Sequence, residues 1–314
     1  MSPTFYTLTG NLLWERTLEF TEWSVGKTQR ARADTFQVGG KGINVSRMLT
    51  RLGAPNIALC FAGGSTGADC VAWLQAKGIA PHVFPIKNPT RIGTVIRAEK
   101  IPETTFFSPD VPPDAAAWKA CADYVENLPT GNVLALCGSF PGWLAPGAEP
   151  LRIVLSGWAK RGGILVADTY GPPLTWAVQQ PLALVKINRD EFNQVGVIDA
   201  QGKPLEEQIF AACQNFPPQA WVVSDGEKPV WFAERGTRPD FLVPPSAKVI
   251  SSTGCGDVLL ACLLQARYAQ RRTLRDALIY ALPYAAANAA HPGIAEFDVT
   301  NLTRTAEPRS RSQS

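Results

Sequence analysis

The sequence predicts an α/β fold in which a mostly parallel sheet lies between helices. Short apolar runs typical of strands alternate with helical patterns along most of the 314 residues. This alternation indicates parallel strands, because each crossover between them needs a long connection that is usually a helix. The composition is 46% hydrophobic and 18% charged, which excludes a disordered body and provides enough apolar side chains for a large core.

The alternation can be followed run by run along the chain. Strands are predicted at 56–62, 132–137, 163–168, 182–187, 220–224, 230–234 and 241–243. Helices are predicted at 44–52, 69–77 and 146–161, and two long ones span about 256–290. Residues 303–314, rich in Arg and Ser, are predicted to be a disordered tail.

Two segments, about 12–36 and 90–107, interrupt the alternation. The second contains a polar-apolar strand pattern at 93–99. We expect these segments to form a small accessory sheet that acts as a lid over the crevice where α/β proteins bind ligands. Exposed edges on such a sheet favour a homodimer formed through the lid.

Composition also limits the partners and the location. The net charge is only +3 with acids and bases interspersed, so no nucleic-acid partner is expected. Seven cysteines without a C-x-x-C pair indicate reduced thiols. No apolar run reaches the length of a membrane span and the first residues do not resemble a secretion signal, so we predict a cytoplasmic protein without membrane contact.

The most informative motif runs from Gly254 through Cys255 and Gly256 to Asp257, just before an apolar helix. Amides at the start of a helix attract anions, and glycine lets the backbone approach a phosphate closely. Asp257 could take the proton of an attacking hydroxyl. The alternative is a tight turn in which Asp257 is only a carboxylate at a helix N-terminus.

A second glycine motif occurs early, at Gly39, Gly40, Lys41 and Gly42, followed by Asn44. The glycines permit close approach of a ligand, Lys41 could pair with a phosphate, and the amide of Asn44 could bridge two hydroxyls. The motif is therefore suited to a polyol. The alternative is a simple glycine turn with a solvated Lys41.

A third pattern, Gly63-x-Ser65-x-Gly67, follows a predicted strand and precedes a helix. It could be the nucleophile elbow of a serine hydrolase, with His291 as the base. The alternative is a glycine-rich turn in which Ser65 or Thr66 caps the helix.

The two glycine motifs, in this order, resemble the GGKGxN and DTxGAGD motifs of the ribokinase-like (PfkB) carbohydrate kinases. The resemblance covers nearly the whole chain, and its motifs are most similar to the branch that contains 1-phosphofructokinase and tagatose-6-phosphate kinase. Further matches are Thr90-Arg91-Ile92, Gly138-Ser139-Phe140-Pro141, Lys186-Ile187-Asn188 and Pro244-Pro245-Ser246. It implies a three-layer sandwich with a small β-sheet lid, in one kinase domain over residues 1–302.

The resemblance also implies roles for individual residues. Asp257 matches the catalytic base, and residues 254–256 match an anion hole. Asn188 and Glu191 match an N-x-x-E motif that organises Mg²⁺, through water, near ATP. The implied acceptor-binding residues are Glu15, Arg30, Gly39, Gly40, Lys41, Asn44, Arg91 and Ser139. The implied ATP-binding residues are Lys186, Asn188, Ser224, Gly226, Ser252 and Asn288, although Asn288 could equally be a packed polar residue bonded to backbone.

The chain departs from the family pattern at four positions. Ser252 and Cys255 keep the character of the family's Thr and Ala, whereas Pro229 replaces a glycine and Glu15 an aspartate. The predicted function is ATP-dependent phosphoryl transfer to a sugar or sugar phosphate, by resemblance a ketohexose phosphate. The departures keep a second hypothesis open, a kinase-fold binding protein that has lost catalysis.

Overall fold

Two β-sheets of different size organise the residues that the computed structural model describes, which are 2–99, 101–196, 202–300 and 302. The strands are β1 (Phe5–Thr9), β2 (Leu13–Phe20), β3 (Ala33–Gly39), β4 (Asn56–Ala62), β5 (Pro81–Pro85), β6 (Ile92–Ala98), β7 (Ile101–Phe107), β8 (Val133–Gly138), β9 (Ile164–Thr169), β10 (Leu184–Asn188), β11 (Ala220–Asp225), β12 (Lys228–Glu234) and β13 (Asp240–Leu242). The helices are α1 (Lys41–Arg51), α2 (Gly64–Ala76), α3 (Ala115–Glu126), α4 (Glu149–Lys160), α5 (Pro172–Ala177), α6 (Arg189–Asn193), α7 (Leu205–Asn215), α8 (Cys255–Leu264) and α9 (Leu274–Ala289).

The large sheet confirms the predicted parallel architecture. Its strand order is β13-β12-β11-β10-β9-β8-β1-β4-β5, and the pairs from β11 through to β5 are parallel. The pairs β11–β12 and β12–β13 are antiparallel. Every residue of β1 and β8 is buried, as expected of parallel strands covered by helices on both faces.

Helices cover both faces of the large sheet and complete the three layers. Neighbouring residues of β8 point to opposite faces, so Leu134 joins one apolar cluster and Val133 the other. The first cluster includes Trp118 of α3 and Trp158 of α4. The second contains α8 residues such as Leu260, which pack between the sheet and α9. The functional motifs of α1 and α8 therefore lie on the same face.

The small sheet confirms the predicted accessory sheet. Its order is β3-β2-β6-β7, with β2 antiparallel to β3 and parallel to β6. Trp14 of β2 stacks on Phe36 with ring centroids 4.8 Å apart, and its Nε1 donates to Asp69 of α2 at 3.1 Å. This contact ties the lid to the body. Dimerisation through the lid stays a prediction.

Several helix boundaries differ from the predicted ones. Helix α2 begins at Gly64 and not at 69, and α4 begins at Glu149 and not at 146. The boundary that affects the site is the start of α1. Helix α1 begins at Lys41 and not at Asn44, because Gly40 adopts a φ of 126° and ends the extended backbone of β3. At the other end of the chain, the α-helical part of α8 ends at Leu264 and continues as a π-helical turn over Gln265–Ala269.

The predicted tail at 303–314 lies outside the described residues. Among the helices of the described ranges, none combines the length and the apolar character that crossing a membrane requires.

Replacing Gly42 with alanine should destabilise the fold, because a Cβ there would stand 2.4 Å from Oγ1 of the buried Thr9. We expect the free energy of unfolding to fall by about 1–3 kcal/mol, as for other overpacked core positions, in urea denaturation. Gly157→Ala on α4 is the matched control, since its Cβ would meet nothing closer than 3.4 Å. It should raise stability by about 0.5–1 kcal/mol through better helix propensity. Equal effects of the two substitutions would contradict the packing argument.

Candidate active site

The two glycine motifs, distant in sequence, line one cavity of about 790 Å³. A volume of this size is typical of a pocket for a small ligand. The residues contributed by the early motif are Gly39, Gly40, Lys41 and Asn44, and those by the late motif are Gly254, Cys255, Gly256 and Asp257. The fold thus brings the polyol-binding and anion-binding patterns together.

Gly254 is the N-cap of α8 and cannot be replaced by another residue without strain. Its φ is 75°, in the left-handed region, and a Cβ would stand 2.5 Å from Ile294. Because α8 begins at Cys255, the amides of Cys255, Gly256 and Asp257 are the first of the helix and lack intrahelical acceptors, and that of Cys255 makes a long bond, 3.4 Å, to the carbonyl oxygen of Ser252 ahead of the helix. Together with the helix dipole they favour an anion at this end.

Asp257 lies in the first turn of α8, and only 5% of its surface is exposed. Its Oδ2 accepts a hydrogen bond from Nδ2 of Asn44 at 2.8 Å. Burial raises the pKa of the Asp257 carboxyl to about 6, and the negative charge of Asp168 acts in the same direction. The charges of Lys41 and Lys186 and the bond from Asn44 oppose that shift of the pKa. The carboxylate is therefore a stronger base than an ordinary aspartate.

Asp168, at the end of β9, is fully buried and binds two ammonium groups. Its Oδ1 accepts from Nζ of Lys41 at 2.8 Å, and its Oδ2 accepts from Nζ of Lys186 at 2.7 Å. Burial alone would raise the pKa of Asp168, but the two lysines lower it below the usual range. Lys41 also donates to Oε1 of Glu191 at 2.8 Å. Burial would lower the pKa of Lys41, yet the surrounding carboxylates raise it.

Sequence reasoning missed Asp168 as a functional residue. The signal was present, because Asp168 ends a predicted strand and ligand-binding residues cluster at the carboxyl ends of parallel strands. The structure also shows that Lys186 lies directly under the late turn, since a Cβ on Gly256 would stand 2.7 Å from its Nζ.

Asn188 and Glu191 form a capping box at the start of α6. Oδ1 of Asn188 accepts from the amide of Glu191 at 2.8 Å, and Oε2 of Glu191 accepts from the amide of Asn188 at 2.9 Å. Since Lys41 binds the other Glu191 oxygen, contact with a hard cation through water suits this pair better than direct ligation. In the described ranges, no group of three or more His, Cys, Asp or Glu side chains could hold a metal ion.

Glu15, on β2, lines the cavity and is held from behind by a chain of hydrogen bonds. Nε2 of Gln37 donates to its Oε1, and Nη1 of Arg47 donates to Oε1 of Gln37 at 3.3 Å. Arg47 is fixed in turn by Glu296 at 3.0 Å. Burial raises the pKa of the Glu15 carboxyl, while the bond from Gln37 lowers it. Gln37 and Arg47 were not found from the sequence.

Arg91 and Ser139 meet around Asn11, a further residue that sequence reasoning did not identify. Nη2 of Arg91 donates to the carbonyl oxygen of Asn11 at 3.3 Å, and Nδ2 of Asn11 donates to Oγ of Ser139 at 3.0 Å. This cluster adjoins the cavity at Gly40, but Arg91, Ser139 and Asn11 are not among the residues that line it. Arg30 also lies outside the lining and is exposed in the connection between β2 and β3.

The family model described as pfkB family carbohydrate kinase matches residues 11–301. The chain belongs to this family. The match includes both glycine motifs and the residues that join them in the cavity, so the family resemblance seen in the sequence is confirmed.

Named members of the pfkB family are similar over most of the chain. The 1-phosphofructokinase of Borreliella burgdorferi is 28% identical over 93% of this chain and 94% of its own. The 1-phosphofructokinase of Bacillus subtilis is 27% identical over 82% and 84%, respectively. The structure of phosphofructokinase-2 from Escherichia coli in complex with potassium has a TM-score of 0.86 and 22% identity, covering 98% of both chains, which shows the same fold.

Several residues predicted to contact the nucleotide line the cavity described above. Ser224, Gly226 and Ser252 line it, and Gly226 forms the turn between β11 and β12 with a φ of 59°. Pro229, the departure from the pattern, lies within β12. The turn before Pro229 is closed by the antiparallel pairing of Asp225 in β11 with Lys228 in β12.

The structure favours the alternative reading of Asn288. This residue is 1% exposed, its Nδ2 donates to the carbonyl oxygen of Thr253 at 3.0 Å, and its Oδ1 accepts from the amide of Ala295 at 2.8 Å. Its polar atoms are therefore used to hold the late turn in place and are not directed toward the adenine of a nucleotide. The α9 residues that line the cavity are Leu282, Ala285, Ala286 and Ala289.

The hydrolase hypothesis is wrong, because the chain belongs to a kinase family and Ser65 lies exposed on α2. Nδ1 of His291 accepts locally from the amide of Gly293 at 3.0 Å.

The alternative that Ser65 or Thr66 caps α2 is wrong too. The N-cap of α2 is Gly63, which has no side-chain bond, and Thr66 donates to the carbonyl oxygen of Thr90 at 2.8 Å.

Asp257→Asn should stabilise the protein at neutral pH. The pKa is about 6 in the folded state and about 4 when unfolded, so ionisation costs folding free energy as pH rises through this range. We expect the variant to gain about 1–3 kcal/mol at pH 7.5 in urea denaturation, and the gain to disappear below about pH 4.

Asp168→Asn is the matched control, and its effect on the free energy of unfolding should have the opposite sign. The pKa of Asp168 is lowered in the folded state, so its ionised form stabilises the fold above the unfolded pKa and this contribution fades as pH falls. Removing the charge leaves the buried ammonium of Lys186 without its carboxylate partner and Lys41 paired with Glu191 alone, which should cost about 3–5 kcal/mol at pH 7.5. Stabilisation by Asp168→Asn, or destabilisation by Asp257→Asn, would contradict the assigned charges.

Proposed function

We propose that the protein is an ATP-dependent kinase that phosphorylates a hydroxyl of a ketohexose phosphate. The observation that carries this proposal is the buried carboxylate of Asp257, which lies at the anion-attracting start of α8 and is oriented by Asn44 at 2.8 Å. The names of similar family members support the acceptor class. They include 1-phosphofructokinases and a D-tagatose-1-phosphate kinase of Bacillus licheniformis, which is 24% identical over 82% of this chain.

Asp257 acts as the general base in this proposal. The acceptor's hydroxyl oxygen forms a bond to the γ-phosphorus while the bond from that phosphorus to the ADP oxygen breaks, and the hydroxyl proton passes to Asp257. A carboxyl whose pKa is raised to about 6 is ionised at neutral pH and still accepts a proton readily. Asn44 keeps the receiving carboxylate turned toward the cavity.

Charge on the transferred group is met by the start of α8. The amides of Cys255, Gly256 and Asp257 supply fixed donors, and Lys186 lies beneath them. Asn188 and Glu191 would hold Mg²⁺ through water, and the ion supplies charge neutralisation of the phosphates when bound.

The acceptor end combines hydroxyl and phosphate contacts. Oδ1 of Asn44 is buried and has no partner among the described residues, so it is ready to accept from a sugar hydroxyl. The carboxylate of Glu15 offers a second acceptor on the cavity wall. Arg91 and Ser139 are the residues proposed to receive the acceptor's own phosphate.

A cytoplasmic location and a dimer formed through the lid complete the proposal. The seven cysteines are free, and all except Cys255 are buried. On the lid, Phe106 and Phe107 of the edge strand β7 are each 58% exposed, which supports an apolar contact with a partner.

Asp257→Asn should lower kcat by about 10²–10⁴ while ATP binding is retained, because only the proton acceptor is removed. The measurement is ADP release with fructose 1-phosphate, fructose 6-phosphate, tagatose 6-phosphate, fructose and ribose as acceptors. Asp123→Asn, in an exposed pair with Lys119, is the control for the loss of one charge. ADP release by the variant at the wild-type rate would overturn the role of Asp257, and binding without ADP release by the wild type would favour a non-catalytic protein.

The turnover of the wild type should fall below about pH 6, because protonated Asp257 cannot accept the hydroxyl proton. Asn44→Ala should move this acid limb to higher pH, since the bond from Asn44 lowers the pKa of Asp257. The pH profile of kcat measures the shift independently of the size of kcat. An acid limb that stays in place, or moves down, would contradict the assignment.

A further inference from the structure

A carboxylate binds the residues that are proposed to receive the acceptor's phosphate. Asp110 follows β7, and its Oδ1 accepts from Nη1 of Arg91 at 3.3 Å and from Nδ2 of Asn11 at 2.9 Å. The same Asn11 amide group donates to Ser139. Asp110 therefore contacts the groups that would otherwise face a phosphate.

This cluster adjoins the sugar-binding motif. The carbonyl oxygen of Asn11 accepts from Nη2 of Arg91 and lies 3.8 Å from where a Cβ on Gly40 would stand. The guanidinium of Arg91 also lies over the ring of Phe107, with its Cζ 5.2 Å from the centroid. Arg91 is thus held beside the early glycine motif by contacts with Asn11 and with Phe107 of the lid.

The ion pair between Arg91 and Asp110 is weak enough to be broken by a ligand. Both hydrogen bonds from the guanidinium are 3.3 Å long, whereas charge-assisted bonds are usually about 2.7–2.9 Å. Nε of Arg91 is buried and has no acceptor among the residues that the structure describes. The Arg91 side chain is 15% exposed and that of Asp110 is 56% exposed. Asp110 can therefore swing into solvent while Arg91 stays in place.

We propose that Asp110 is a specificity-determining residue that competes with the acceptor's phosphate for Arg91. This proposal rests on the proposed function of the cleft. A phosphate has more charge and more acceptor oxygens than the carboxylate, so it displaces Asp110 when the sugar is held at the same time by Asn44 and Glu15. A small anion without a sugar lacks that support and is disfavoured by the resident carboxylate.

The competition makes Asp110 a source of selectivity and not of tight binding. Lys41 cannot take over the phosphate contact at full strength, because its ammonium already binds Asp168 and Glu191. Removing the Asp110 charge frees Arg91, so phosphorylated ligands gain affinity and uncharged sugars do not.

The test compares the wild type with Asp110→Asn, which keeps the shape of the side chain and removes the charge. With the ketohexose phosphate that turns over best, KM should fall about fivefold while kcat changes little, as expected for loss of a competing ion pair of about 1 kcal/mol. With fructose, KM should not change. Asp123→Asn controls for net charge and should leave both values unchanged.

A binding measurement keeps the proposal testable if no acceptor turns over, in which case the proposed function fails by itself. Inorganic phosphate, titrated by calorimetry, should bind about fivefold more tightly to Asp110→Asn than to the wild type. The gain should be lost in the double variant with Arg91→Gln. Unchanged phosphate affinity and KM in Asp110→Asn, or a gain that survives Arg91→Gln, would overturn the proposal.

Discussion

The carboxylate of Asp168 lies beneath the candidate active site without contact with solvent, and it holds two ammonium groups there. Lys41 comes from α1 and Lys186 from β10, so one side chain joins the early glycine motif to the centre of the large sheet. Burying these charges costs free energy unless each is paired, and here each oxygen of Asp168 has its own lysine. The floor of the cavity depends on this arrangement.

The same environment separates the properties of two neighbouring carboxylates. The lysines lower the pKa of Asp168, whereas burial and the charge of Asp168 raise that of Asp257. Two acids of one chemical type thus become a permanent anion and a base that is protonated near pH 6. This separation accounts for a site that is both stable in structure and able to accept a proton.

The acceptor end is organised by the lid and by the connections that lead into it. Glu15 is backed by Gln37 and Arg47, and Arg91 is held between Asn11 and Asp110. These contacts join residues of β2, β3 and α1 with the segments that precede β2 and β6 and the segment that follows β7. The small sheet and its connections therefore hold Glu15 and Arg91 in place.

The sequence by itself determined the parallel α/β architecture, the accessory sheet and the glycine turn before α8, because periodicity and glycine positions are local signals. It predicted Asp257 as the base, which stays a prediction, left two interpretations of Asn288 open, and passed over Asp168. Only the tertiary structure decided the last two points, since they depend on which strand ends meet. Pairings such as Asp168 with Lys41 and Arg91 with Asp110 join distant residues, and no local pattern encodes which buried charges find each other.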